Sequence, residues 1–154
     1  MMNIIKILDN NLENHIITFD KLKTNFHFKS QLVKALILLK NSIKKGGKII
    51  FIGNGGSAAD SQHLSAELVG KFLKKRKPLP AIALSTDTSI LTSISNDTNF
   101  DHVFSRQIMS IGNKNDVLIA ITTSGKSQNI INAIQVCRKR KIKTICLTKE
   151  NYPK

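Results

Sequence analysis

Apolar residues recur along this chain in two alternating rhythms. From Met1 to about Phe19 they fall at Ile4, Leu8, Leu12, Ile16 and Phe19, the spacing of a helix face. From Gln31 to Lys45 the pattern repeats with Leu32, Leu36, Leu39 and Ile43, widened by Val33 and Ile37, and Gly46-Gly47 ends it. So wide a stripe suits plain core or core plus a subunit contact. After it the rhythm shortens. Lys48–Ile52, Ala81–Leu84, Asp116–Ile121 and Lys143–Leu147 are brief, Ile-, Val- and Ala-rich runs that predict strands. Between them, Ala58 to about Phe72, Asp87–Ser95, Phe100 to about Ile111 and Ser127–Arg140 predict helices, with Asn96-Asp97 in a loop. Strands alternating with amphipathic helices give an α/β fold: a doubly wound parallel sheet flanked by helices, preceded here by a helical N-terminal segment.

Composition narrows this only slightly. A chain of 154 residues is long enough for one domain with a core and too short for two. No apolar run has the length of a membrane span, and Lys6 and Asp9 interrupt the N-terminal apolar pieces, so a cytoplasmic protein with no membrane partner is expected. The formal net charge is +14. A nucleic-acid partner is not favoured. The cations of Lys71–Lys77 and Arg138–Lys143 sit at helix ends and loops, without interleaved aromatics or a recognisable binding motif. Cys137 and Cys146 form no CxxC pair and lie in apolar contexts, which suggests two reduced core residues.

Ligands of such sheets bind at the C-terminal ends of the strands. The loops there are Gly53–Ser57, Ser85–Asp87 and Thr122–Ser127. Gly53, Gly55 and Ala58 fit a loose dinucleotide fingerprint, but the acid required roughly 20 residues on is missing, since Asp87 lies too far along. Gly125-Lys126-Ser127 resembles the tail of a nucleotide-binding P-loop, yet Ala120 stands where that motif needs its first glycine. Thr122-Thr123-Ser124-Gly125-Lys126-Ser127 makes better sense as a hydroxyl-rich phosphate cradle at a helix N-terminus, although Ser127 would also serve as an ordinary cap. On the helix after the glycine turn, His63 and Glu67 are four apart and leave one face. They are either a solvated pair or two ligands of a metal site that needs more. Asn96 and Asp97 can cap a helix or bind sugar hydroxyls.

Taken together, Gly53-Asn54-Gly55-Gly56-Ser57, His63-Leu64-Ser65-Ala66-Glu67-Leu68, Pro80-Ala81-Ile82-Ala83-Leu84, Asn96-Asp97, Phe104-Ser105-Arg106-Gln107 and Thr122-Thr123-Ser124-Gly125-Lys126-Ser127 resemble the sugar isomerase (SIS) domain family, and within it the phosphoheptose isomerases. The resemblance runs over nearly the whole chain and treats 1–154 as a single such domain. It implies a ketose–aldose isomerase turning sedoheptulose 7-phosphate into D-glycero-D-manno-heptose 7-phosphate for the heptoses of lipopolysaccharide. It also implies a homotetramer with zinc-containing sites between subunits. Asn54, Gly55, Gly56, Ser57, Glu67, Asn96, Asp97, Thr122, Thr123, Ser124 and Ser127 would bind the sugar phosphate. His63 and Glu67 would bind zinc, Glu67 also being the base. The family's other zinc ligands, a Gln and a His, lie on a C-terminal helix with no counterpart in this sequence. The chain is therefore expected to lack the C-terminal strand and helix and to be weakly active or inactive alone. The alternative is a non-catalytic domain of the same fold that senses a sugar phosphate or binds a replication initiator protein; against the initiator-binding relative, which lacks the helix Glu, Glu67 argues for the isomerase.

Overall fold

A computed structural model of the protein describes residues 2–149; the polar stretch 150–154 lies outside it. The chain divides into two units, Met1–Ile37 and Leu38–Lys154. In the first, helix α1 (Met2–Thr24) is followed after Asn25 by the start of α2 (Phe26–Lys44). The α2 helix starts earlier than its apolar spacing suggests because Asn25 caps it, accepting the Phe28 N–H at 2.9 Å.

The second unit holds the sheet. Its strands are β1 (Ile49–Gly53), β2 (Ala81–Ala83), β3 (Val117–Ile121) and β4 (Lys143–Leu147), in spatial order β2-β1-β3-β4 and all parallel. Helices α3 (Gly56–Val69), α4 (Thr88–Asp97), α5 (Val103–Ile111) and α6 (Gln128–Lys139) connect them, and a single 3-10 turn at Phe100–His102 leads into α5. Alternate strand residues feed two cores. Ile50, Ile52, Leu118 and Ala120 pack with Ile94, Phe104, Ile108, Ile130 and Cys137 from α4, α5 and α6. Ile49, Phe51, Val117 and Ile119 pack on the other face with Leu38, Leu39 and Ile43 of α2 and Leu68 of α3. Both faces of β1 and β3 are therefore covered, which is why these strands read as unbroken apolar runs.

Three expectations change. Asn96-Asp97 is not a loop but the last turn of α4. Helix α3 stops at Val69, where the Gly70 N–H closes on the Ala66 carbonyl. Cys137 is buried as expected, but Cys146 is exposed because β4 is the outer strand of the described sheet.

Candidate active site

From β1 the chain runs in one direction to β2, and β3 lies on its other side. The crevice above β1 and β3 is thus a topological switch point, the place where open parallel sheets bind ligands. Gly53 ends β1 so close to α3 that a Cβ there would lie 2.4 Å from the Ser57 carbonyl oxygen. Only glycine lets the turn pass. Gly55 follows with φ +53°, and α3 begins without a side-chain cap. The turn already engages some of its own amides, since Ser57 N–H bonds Asn54 O and Ala58 N–H bonds Gly55 O.

Opposite, the loop after β3 is built from its own hydroxyls. Thr122 is buried; its Oγ1 accepts the Gly125 N–H at 3.1 Å, and Ser124 Oγ accepts the Lys126 N–H at 3.2 Å. Gly125 takes φ +64°, a left-handed conformation that turns the loop toward α6. Ser127 stands at the N-cap of α6, yet its side chain makes no capping bond, which leaves its hydroxyl for something else. The two loops are tied by a reciprocal amide pair. Asn54 Nδ2 donates to Asn129 Oδ1 and Asn129 Nδ2 to Asn54 Oδ1, both at 2.9 Å.

Between them lies a cavity of about 60 Å³ lined by Asn54, Ser57, Ile121, Thr122, Thr123, Ser124 and Ser127. It is the size of one small anion group and lies beside the N-terminus of α6. Six of the expected substrate residues therefore meet. Gly55 and Gly56 shape the turn without lining the cavity. Asn129, buried on α6, was not singled out from sequence. A lone Asn in a helix's first turn reads as surface, and only its pairing with Asn54 gives it a role.

His63 and Glu67 lie further along α3, six and ten residues past Ser57, or about 9 and 15 Å along the axis. They do not line the cavity. Their side chains face each other, His63 Nε2 to Glu67 Oε1 at 3.9 Å, with the imidazole mostly exposed and the carboxylate one-third exposed. Glu67 Oε2 is buried without a hydrogen-bond partner among the described residues. An imidazole nitrogen beside such an oxygen fits part of a zinc shell, and among the described residues no group of three His, Cys, Asp or Glu gathers that could hold a metal. Asn96 and Asp97 are exposed on α4, where Asn96 Nδ2 donates to Asp97 Oδ1 at 3.1 Å, and they too stand apart from the cavity. Gln107, in the Phe104–Gln107 segment, has a packing role: its Nε2 donates to Leu84 O and Val103 O.

Residues 21–149 match the SIS domain. The chain belongs to the SIS domain family. It is 50% identical over 117 residues to a phosphoheptose isomerase of Rhodospirillum rubrum, covering 76% of this chain and 62% of that protein. It is 54% identical over 119 residues to one of Campylobacter jejuni, covering 77% and 63%. A phosphoheptose isomerase structure from Neisseria gonorrhoeae superposes with a TM-score of 0.78 at 40% identity, over 92% of this chain and 74% of that one. This SIS domain chain thus spans less than two thirds of the length of the first two relatives. No helix among the described residues is long and apolar enough to cross a membrane.

Proposed function

We propose that this chain serves as a phosphoheptose isomerase, acting on sedoheptulose 7-phosphate in heptose synthesis in the cytoplasm, as a homotetramer. The observation that carries the reading is the hydroxyl-lined cavity at the β1/β3 switch point. Ser57, Thr123, Ser124 and Ser127 offer hydroxyl donors there at the N-terminus of α6, and hydroxyls suit a phosphate that must bind and leave. Two relatives at half identity or better carry the phosphoheptose isomerase name.

Ketose–aldose exchange moves a proton between neighbouring carbons through an enediol, which needs a carboxylate that takes and returns it. Glu67 would be that carboxylate; its Oε2 accepts no donor from the described residues. His63 and Glu67 would hold zinc with further ligands from outside the described residues. When bound, zinc would polarise the sugar carbonyl. Asn96 and Asp97 would bind sugar hydroxyls.

The test is binding and proton exchange. Sedoheptulose 7-phosphate should bind the chain and be displaced by inorganic phosphate. Ser124→Ala/Ser127→Ala should weaken it at least tenfold, the loss of about two hydrogen bonds to a charged group. With zinc added, deuterium from solvent should enter the sugar next to its carbonyl, slowly because His63 and Glu67 are only part of the zinc shell, and Glu67→Gln should abolish that. Equal binding by the double variant, or exchange that survives Glu67→Gln, overturns the reading. Binding without exchange would leave a sugar-phosphate sensor.

A further inference from the structure

The Glu67 side chain makes no hydrogen bond among the described residues, although one of its oxygens is buried. With no hydrogen bond to hold it, its position rests on packing and on the backbone beneath it, the last turn of α3. Carbonyls in a helix's last turn lack intrahelical donors and must find others. Here Arg76 supplies them. Its Nη2 donates to Glu67 O at 2.6 Å, and its Nη1 donates to Leu68 O at 2.8 Å. Nη1 also donates to Lys77 O at 3.1 Å, and the Leu79 N–H adds a second bond to Leu68 O at 3.0 Å. Of the five cations in Lys71–Lys77, Arg76 alone is half-buried, the other four being exposed. The sequence shows a solvated basic run; the fold draws one member of it inward. A guanidinium suits the place. It is planar and carries several donors in a fixed fork, and its charge complements the negative end of the helix.

We propose that Arg76 is a positioning residue for Glu67, locking the final turn of α3 so that the carboxylate keeps its placement beside His63. The contact stands on the geometry; its effect on turnover rests on the isomerase reading above. The phosphate cradle lies at the opposite end of α3, so Arg76 should affect what Glu67 does and leave phosphate capture alone.

Carbodiimide labelling of carboxylates, mapped by mass spectrometry, tests the contact without turnover. In Arg76→Gln, labelling of Glu67 should rise about fivefold, the scale of losing net hydrogen bonding at one carbonyl. Asp116, buried just before β3, should stay unlabelled. Arg76→Lys, with a single ammonium in place of the fork, should fall between. Proton exchange into sedoheptulose 7-phosphate should slow about tenfold in Arg76→Gln while the apparent KM stays within twofold. Unchanged Glu67 labelling, or a rise shared with Asp116, overturns the proposal. A rise confined to Glu67 with no exchange in the unaltered protein upholds the clamp and sinks the isomerase reading instead.

Discussion

Ser127 occupies a helix cap without capping, and Asn129, two residues on, is buried in a side-chain pair. The two should respond differently to alanine. Ser127→Ala removes no intramolecular bond, so its unfolding free energy should stay within about 0.5 kcal/mol while phosphate affinity falls several-fold. Asn129→Ala strands both polar ends of Asn54 and should cost about 2 kcal/mol as well as binding. Chemical denaturation beside phosphate titration separates them; a stability loss in Ser127→Ala equal to that of Asn129→Ala would refute the assignment. Cys137 gives a pH dependence. Burial pushes its thiol up to about 11, against smaller lowering by a Thr144 hydrogen bond and the nearby Arg140 charge. The unfolded chain releases this proton near pH 9 and the folded one only near 11. The stability from keeping the thiol neutral is thus whole below pH 9 and declines between 9 and about 11. Cys137→Ala should flatten that part of the stability curve, and in the native protein Cys146 should react with a thiol reagent well before Cys137.

At the scale of elements, the ends of the sheet divide the work. At the end away from the cavity, Asp116 accepts Lys48 N–H at 2.9 Å, Asn113 N–H at 2.7 Å and the Lys48 ammonium at 2.6 Å. These bonds join the starts of β1 and β3. Asp116→Ala leaves the Lys48 backbone N–H and ammonium without that partner and should destabilise by about 3 kcal/mol, read as a melting point lower by about 10 °C. The same variant should bind sugar phosphate normally below its melting point. What was legible from sequence follows the same physics. β1 and β3, covered on both faces, announce themselves as apolar runs, and the cradle is legible because its Thr and Ser residues are contiguous. α4 is harder to see to its end. Its Ser and Thr side chains are poor helix formers by composition, but Thr92, Ser95 and Thr98 bond back to carbonyls of the preceding turn, and Leu91 and Ile94 bind the helix to the core. Asn129 and Arg76 were invisible because their partners, Asn54 and Glu67, are fixed by tertiary placement and not by spacing along the chain. Cys146 misled for a related reason: a single strand's pattern does not say whether it lies inside a sheet or at its margin.

For the whole molecule, the question is what covers the first unit. Ile4, Leu8, Leu12, Ile16 and Phe19 on α1, and Phe26, Leu32 and Leu36 on α2, are all exposed, Phe26 by 82%. Apolar stripes left bare on both helices mark interaction faces, and the assembly proposed above supplies an occupant in further copies of this chain. Each copy brings a net charge of +14, so association sets apolar burial against mutual repulsion. That opposition makes the ionic-strength dependence diagnostic. Salt screens the repulsion and leaves apolar burial intact, so the assembled mass measured by light scattering should persist or grow from 50 to 500 mM salt at fixed protein concentration, a span over which the screening length falls to about 4 Å. Leu32→Lys/Leu36→Lys should shift the mass toward the single chain at every salt concentration, with far-ultraviolet helicity of the second unit retained. A basic protein gathered instead on nucleic acid behaves in the opposite sense, because salt releases its phosphate contacts steeply. Mass that falls as salt rises, or that ignores the lysine pair, would remove the apolar face from the assembly and return the charge to the centre of the problem.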